Sequence, residues 1–255
     1  MKLFFRKHGS GPPMIILHGL FGSSDNWNFQ AKNFSEYYSV YLIDQRNHGQ
    51  SPHDEIMNLD ALADDLGSFI QQQGIRQPIL LGHSMGGKVV MNFAVRYPDI
   101  AGKVIVVDIG PKYYPPHHKH ILEGMKKLPL TGISNRSEAD HFLAQYISES
   151  AIRQFLLKNL VRTENTFKWQ INLNAIENNL ELLGNQLNSK EKYFGSCLFL
   201  FGKKSNYFKE GDEELIKAIF PNSQLSFIEK GGHWLHVECP EEFGKIILSY
   251  LADNE

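Results

Sequence analysis

The sequence predicts an α/β fold: a mainly parallel sheet of about seven strands, helices on both faces, and an inserted helical segment. Three observations predict it. Short apolar runs alternate with amphipathic helical stretches over most of the chain. The turn Gly82-His83-Ser84-Met85-Gly86 joins one such run directly to one such helix. Between Val107 and Leu198 the alternation stops, and helical patterns follow one another without a strong strand signal.

The strand candidates, in order, are Leu3–Arg6, Met14–Leu17, Val40–Ile43, Ile79–Leu81, Val104–Val107, Leu198–Phe201 and Leu225–Ile228. Each is a short apolar run, as strands covered on both faces require. The helices expected between and after them are Leu59–Gln73, Met85–Arg96 (stopped by Tyr97-Pro98), Glu213–Phe220 and Glu241–Leu251. In the interrupted interval, Pro111 to Pro116 reads as a loop. Helical patterns follow at Ile121–Lys127, Glu138–Ile147 and Ala151–Val161, with a shorter piece near Leu173–Leu183. Residues 112–194 therefore read as a helical cap inserted into a core made of 1–111 and 195–255. In a sheet of this kind ligands sit beyond the carboxyl ends of the strands, and an insertion leaving from that edge covers them.

Composition narrows the function classes. The 255 residues are 42% hydrophobic and 21% charged, enough apolar material for one large core. A formal net charge of -2 gives no electrostatic argument for nucleic acid. The first residues lack the apolar stretch of a signal peptide, and no segment approaches the roughly 20 apolar residues of a membrane span. A cytoplasmic enzyme is the expected default. Cys197 and Cys239 lie far apart without metal-ligand spacing, so neither a disulfide framework nor a thiolate metal site is expected.

The Gly82–Gly86 stretch matches G-x-S-x-G, in which a strand-to-helix turn holds a serine in a cramped conformation above the sheet. Ser84 is the candidate nucleophile, and it needs a base, because a hydroxyl is a weak nucleophile at neutral pH. His233 follows Gly231-Gly232 after the last strand, in a loop at the correct end of the sheet. His236, nearer Pro240, is better placed to enter the final helix. The acid must orient the imidazole from another strand end. The penultimate strand runs out into Phe201-Gly202-Lys203-Lys204-Ser205-Asn206, with no carboxylate; Asp212 beyond it reads as a helix cap. Asp108 ends the strand next to the nucleophile strand, about 5 Å away, and is the expected acid. Asp44 also ends a strand, but in the usual order another strand separates it from Ser84. Two backbone N–H groups should hold the oxyanion: that of Met85, and one from Leu20 or Phe21 in His18-Gly19-Leu20-Phe21-Gly22. Asp44 to Ser51 reads as a fixed turn in which Asp44 and Arg46 can pair. His117-His118-Lys119-His120 reads as a solvated entrance to the cap. Among the cap's apolar residues, Phe142, Tyr146, Phe155, Leu156, Phe167 and Trp169 are divided between an acyl pocket and the cap's own core.

These residues give the chain a family resemblance. It resembles the α/β-hydrolase superfamily, and within it the YbfF-type bacterial esterases with their mitochondrial abhydrolase and yeast alcohol acetyltransferase relatives. The matching segments are His18–Gly22, Asp44–Ser51 with its Arg-Asn-His-Gly core, Gly82–Lys88, Val107–Pro111 and Gly232–His236. The resemblance implies the α/β-hydrolase fold, a triad of Ser84, Asp108 and His233, and hydrolysis of a small-molecule ester or thioester without metal or organic cofactor. Transfer of the acyl group to an alcohol is the alternative.

Overall fold

The computed structural model describes residues 1–187 and 190–254. Positions 188 and 189 of the expected insertion, and residue 255 of the expected core, lie outside them. The chain opens with β1 (Phe5–His8), β2 (Pro13–Leu17), a short 3-10 turn at Ser24–Trp27, α1 (Asn28–Phe34), β3 (Ser39–Ile43) and α2 (Leu59–Gln72). Then follow β4 (Ile79–His83), α3 (Met85–Arg96) and β5 (Val104–Val107). After α4 (Lys119–Lys127), α5 (Arg136–Leu143) and α6 (Ser150–Leu157), a hairpin forms from β6 (Leu160–Arg162) and β7 (Phe167–Trp169), and α7 (Leu173–Gly184) follows. The chain ends with β8 (Cys197–Gly202), α8 (Asp212–Ile219), β9 (Ser223–Ile228), α9 (Leu235–Glu238) and α10 (Pro240–Asp253).

Seven strands form one sheet in the order β1-β3-β2-β4-β5-β8-β9, and all pairs are parallel except the β1–β3 edge. The period of two splits each strand between two cores. In β2, Ile15 and Leu17 join Leu62, Phe69, Val89 and Phe93 from α2 and α3 on one face. Met14 and Ile16 join Trp27, Phe34, Phe243 and Ile247 beside α1 and α10 on the other. The strand run is therefore apolar throughout, as the sequence suggested.

Three local expectations are corrected. The first strand is shifted two residues, to Phe5–His8, because its register is set by antiparallel pairing of Phe5 with Ile43. The helix expected at 151–161 stops at Leu157, and Leu160–Arg162 turns into a strand of the small hairpin. Asn159 explains the break: its Nδ2 donates to the Phe21 carbonyl at 2.8 Å, and its own carbonyl accepts from Gln170 N–H at 2.8 Å. Three-residue strands are too short to carry an alternation signal. Asp212 is the first helical residue of α8, after Gly211 at the cap position; its carboxylate meets Lys112 at 2.5 Å and the Lys209 N–H at 2.8 Å.

The turn after β3 is fixed as expected, by different pairs. Arg46 does not meet Asp44. Its Nε donates to Asp65 on α2 at 2.6 Å, and its Nη1 to the Ile56 carbonyl at 2.7 Å. Asp44 is buried and accepts from the backbone N–H groups of Ser24 (2.7 Å) and Gln50 (2.8 Å). The carboxylate so fills the turn that a Cβ on Gly49, at φ +53°, would lie 2.1 Å from Asp44 Oδ2. Asp44→Ala strands two inward-facing N–H groups and is expected to cost about 3 kcal/mol in urea unfolding. A loss under about 0.5 kcal/mol would mean that these donors find other acceptors.

Buried imidazoles pack the same rim. His18 accepts the Gln45 N–H at Nε2 (3.1 Å) and donates from Nδ1 to the Gly19 carbonyl (2.8 Å). His236 stacks on Trp27 with ring centres 4.1 Å apart. Burial lowers His18 to about 4, and His48 and His236 to about 3. The unfolded chain, titrating near 6.5, therefore binds more protons than the folded one once the pH falls below that value. Stability should hold above pH 6.5 and fall below it, by about 2 kcal/mol per buried histidine between pH 7 and pH 5. Urea midpoints at the two pH values check this, and equal midpoints would contradict it.

Candidate active site

Ser84 stands between β4 and α3 with φ 52° and ψ -117°. A positive φ is strained for a residue with a Cβ, and the strain is held by close packing of the turn. A Cβ on Gly82 would lie 2.2 Å from the Gly86 carbonyl oxygen, and one on Gly86 would lie 2.4 Å from that of Leu17. The two glycines of the motif are thus needed for backbone approach. The Ser84 N–H donates to the Val107 carbonyl at 3.0 Å, tying the turn to the end of β5.

Asp108 follows β5, also with positive φ (49°), and is 0% exposed. Such a carboxylate needs donors, and it has three. Gly202 N–H donates to Oδ1 at 3.0 Å. The Ser205 hydroxyl donates to Oδ2 at 2.5 Å, and His233 Nδ1 lies 2.7 Å from the same oxygen. The position after β8, where sequence reasoning found no carboxylate, instead supplies a hydroxyl and an amide that hold the one from β5. Ser205 carries no motif of its own in the sequence; the acid position without a carboxylate is the one signal that points to it.

His233 lies in the loop between β9 and α9. Its ring stacks on Tyr207, with centres 4.1 Å apart and planes 13° apart. Its carbonyl accepts from His83 Nε2 at 2.8 Å, and burial holds His83 well below the usual range, so the ring is neutral. Glu238 accepts the N–H groups of Gly232 (2.5 Å) and Trp234 (3.1 Å), fixing the loop from the other side. His83, Tyr207 and Glu238 are thus positioning groups for the imidazole. His236 is the second residue of the short α9 before α10, and its ring is buried against Trp27.

Ser84 and His233 line one cavity of about 330 Å³, within the range of small-molecule sites. Its walls include Phe155 and Leu156 from α6, and His117, His118 and His120 at the start of α4. Phe142, Phe167 and Trp169 instead pack with Leu143, Leu157 and Leu160 in a small separate core between α5, α6 and the hairpin.

The loop after β2 approaches Ser84 so closely that a Cβ on Gly19 would lie 3.3 Å from the Ser84 Cβ. Its two candidate donors differ. The Phe21 N–H donates to His48 Nε2 at 3.2 Å, while the Leu20 N–H has no partner among the described residues. Met85 is the first residue of α3, where the N–H has no intrahelical acceptor. Leu20 and Ser84 share the cavity wall.

A family profile described as the alpha/beta hydrolase fold matches residues 12–240. The chain is 35% identical over 249 residues to the Mus musculus protein named sn-1-specific diacylglycerol lipase ABHD11, with 94% of this chain and 81% of that one covered. It is 32% identical to esterase YbfF of Escherichia coli K12, covering 94% and 93% of the two chains. A solved marine microorganism esterase superposes with a TM-score of 0.96 at 41% identity, over 98% of this chain and 99% of that one. With a seven-stranded sheet of this order and these relatives, the chain belongs to the α/β-hydrolase fold family, among the YbfF-type esterases, and is a hydrolase.

Proposed function

We propose that this hydrolase cleaves carboxylic esters through an acyl-enzyme on Ser84, with His233 as base and Asp108 orienting it. The observation that carries the reading is the 2.7 Å contact of His233 Nδ1 with buried Asp108, behind an imidazole that shares a cavity with Ser84. The esterase and diacylglycerol lipase names of the relatives support an ester as the bond broken.

In this reading His233 Nε2 takes the proton as Ser84 Oγ attacks the acyl carbon. Asp108 keeps Nδ1 protonated and stabilises the imidazolium. The N–H groups of Leu20 and Met85 hold the oxyanion, contributing about 3 kcal/mol each to the transition state. The collapse of the tetrahedral intermediate breaks the ester C–O bond, and His233 protonates the departing alcohol. Water, deprotonated by the same imidazole, releases the acid and frees Ser84. Thioesters fit the same steps with a thiol leaving. Residues 112–194 serve as the cap over this chemistry, contributing Ile121, Phe155 and Leu156 to the cavity wall.

Ser84→Ala should lower kcat by on the order of 10⁶ and abolish labelling by a fluorophosphonate, with the circular dichroism spectrum unchanged. Labelling or turnover that survives this change would refute the assignment. Ser205→Ala removes one hydrogen bond to a carboxylate and should lower kcat by about tenfold. Unchanged kinetics in that variant would make Ser205 irrelevant to the imidazole. Product analysis with ethanol present separates hydrolysis from acyl transfer: acid as the main product supports the proposal, and ethyl ester as the main product replaces it with transfer.

A further inference from the structure

A second, smaller cavity meets the first at Ser84. It measures about 60 Å³, and its walls include Met85, Ile109, Leu180 and Leu183. Leu20, His117, His118 and Tyr207 border both cavities, so they mark the junction. The two differ in which part of the machinery they present. His233 lines the large cavity and is absent from the wall of the small one; Met85 lines the small cavity and is absent from the wall of the large one.

The chemistry assigns the two arms. The leaving oxygen must lie within hydrogen-bond reach of the imidazole that protonates it. The alcohol part therefore extends into the cavity that His233 lines. The remaining substituent of the acyl carbon points away from the leaving oxygen, toward the small cavity beside Met85. We propose that the small cavity is the acyl arm and limits substrates to short acyl chains of about two to four carbons, while the large cavity accepts a bulky alcohol. This rests on the ester-hydrolase reading of Ser84 and His233.

The size argument is direct. The arm beside Met85 offers about 60 Å³, against about 330 Å³ for the arm that His233 lines, so the shorter substituent fits it better. The wall behind it is pinned. Lys88, 1% exposed, donates from Nζ to the carbonyls of Lys112 and Asn185, and its Nζ sits 5.1 Å from the Tyr114 ring centre. The Tyr114 N–H donates to the Gly184 carbonyl at 2.9 Å, and the Leu187 N–H to the Pro111 carbonyl at 2.7 Å. A Cβ on Gly184 would lie 2.2 Å from the Tyr114 carbonyl oxygen, so the two backbones are already in contact. Widening this wall would mean breaking these bonds and leaving the buried Lys88 nitrogen, which burial lowers to about 7, without its acceptors. The large arm, by contrast, is walled by side chains such as Ile152, Phe155 and Trp234.

Two ester series test the assignment on the full chain. One varies the acyl group of p-nitrophenyl esters through acetate, butyrate and octanoate. The other keeps acetate and varies the alcohol through ethanol, hexanol and 2-naphthol. The wild-type protein should favour acetate or butyrate over octanoate by at least about tenfold in kcat/KM, and should not penalise the larger alcohols. Leu183→Ala should raise the octanoate-to-butyrate ratio about tenfold and leave the ratios in the alcohol series unchanged. Leu180→Ala, on the same wall, should act in the same direction and serves where Leu183→Ala fails to fold. Phe155→Ala should move only the alcohol series. Octanoate preferred by the wild-type protein, or Leu183→Ala and Leu180→Ala both altering the alcohol series instead, overturns the assignment. Absence of turnover on every ester overturns the hydrolase reading beneath it, a result distinct from turnover with reversed preference.

Discussion

The carboxylate of Asp108 is the constraint around which the rest of the rim is arranged. It is wholly buried, on a strained residue at the end of β5, and a lone charge there would be intolerable. Its three donors come from two other parts of the chain: Gly202 at the end of β8 with Ser205 beyond it, and His233 after β9. Satisfying one charge thus fixes the relative positions of three strand ends. The Ser84 turn is joined to the same place through its N–H on the Val107 carbonyl. Neighbouring parallel strands bring these ends together, which is why residues 108, 202, 205 and 233 meet, with Ser84 on the wall of the cavity that His233 lines.

Much of this was legible in the sequence. Helix Met85–Arg96 was read to the residue, because apolar β4, the glycine-flanked turn and Tyr97-Pro98 mark both ends. The contact of Asp108 with His233 was legible from a deficit: the segment after β8 offers no carboxylate, and parallel pairing of β4 with β5 brings Asp108 beside the Ser84 turn. The order β3-β2-β4 also separates Asp44 from Ser84, as the sequence reading required.

What stayed hidden depends on pairings between distant segments. Nothing local to Arg46 distinguishes Asp44 from Asp65 as its partner; the packing of α2 against the turn decides it. Asn159 reads as a tolerable helix residue until the Phe21 carbonyl, 138 positions away, captures its side chain. The choice between Leu20 and Phe21 is of the same kind, since it turns on whether His48 occupies one of two adjacent N–H groups. Three-residue strands and a four-residue helix likewise lack the length to show a period.

The abundance of histidine around the site has an electrostatic logic. In the proposed mechanism His233 becomes a cation while Ser84 carries the acyl group, and a second cation nearby would oppose that step. His83 and His236 both lie beside it, with ring centres of His83 at 4.7 Å from His233 and 4.9 Å from His236. Burial holds both neutral, and the mutual repulsion of the rings pushes in the same direction. His118, at the junction of the two cavities, is lowered to about 3 by burial first and by its histidine neighbours second. The rim can therefore offer hydrogen bonds to the His233 loop and stacking surface to Trp27 without adding positive charge. Charge of opposite sign lies directly behind Nδ1, where Asp108 balances the imidazolium and does not face the cavity. Arginine in place of these rings would bring permanent charge, and the base at His233 would weaken accordingly.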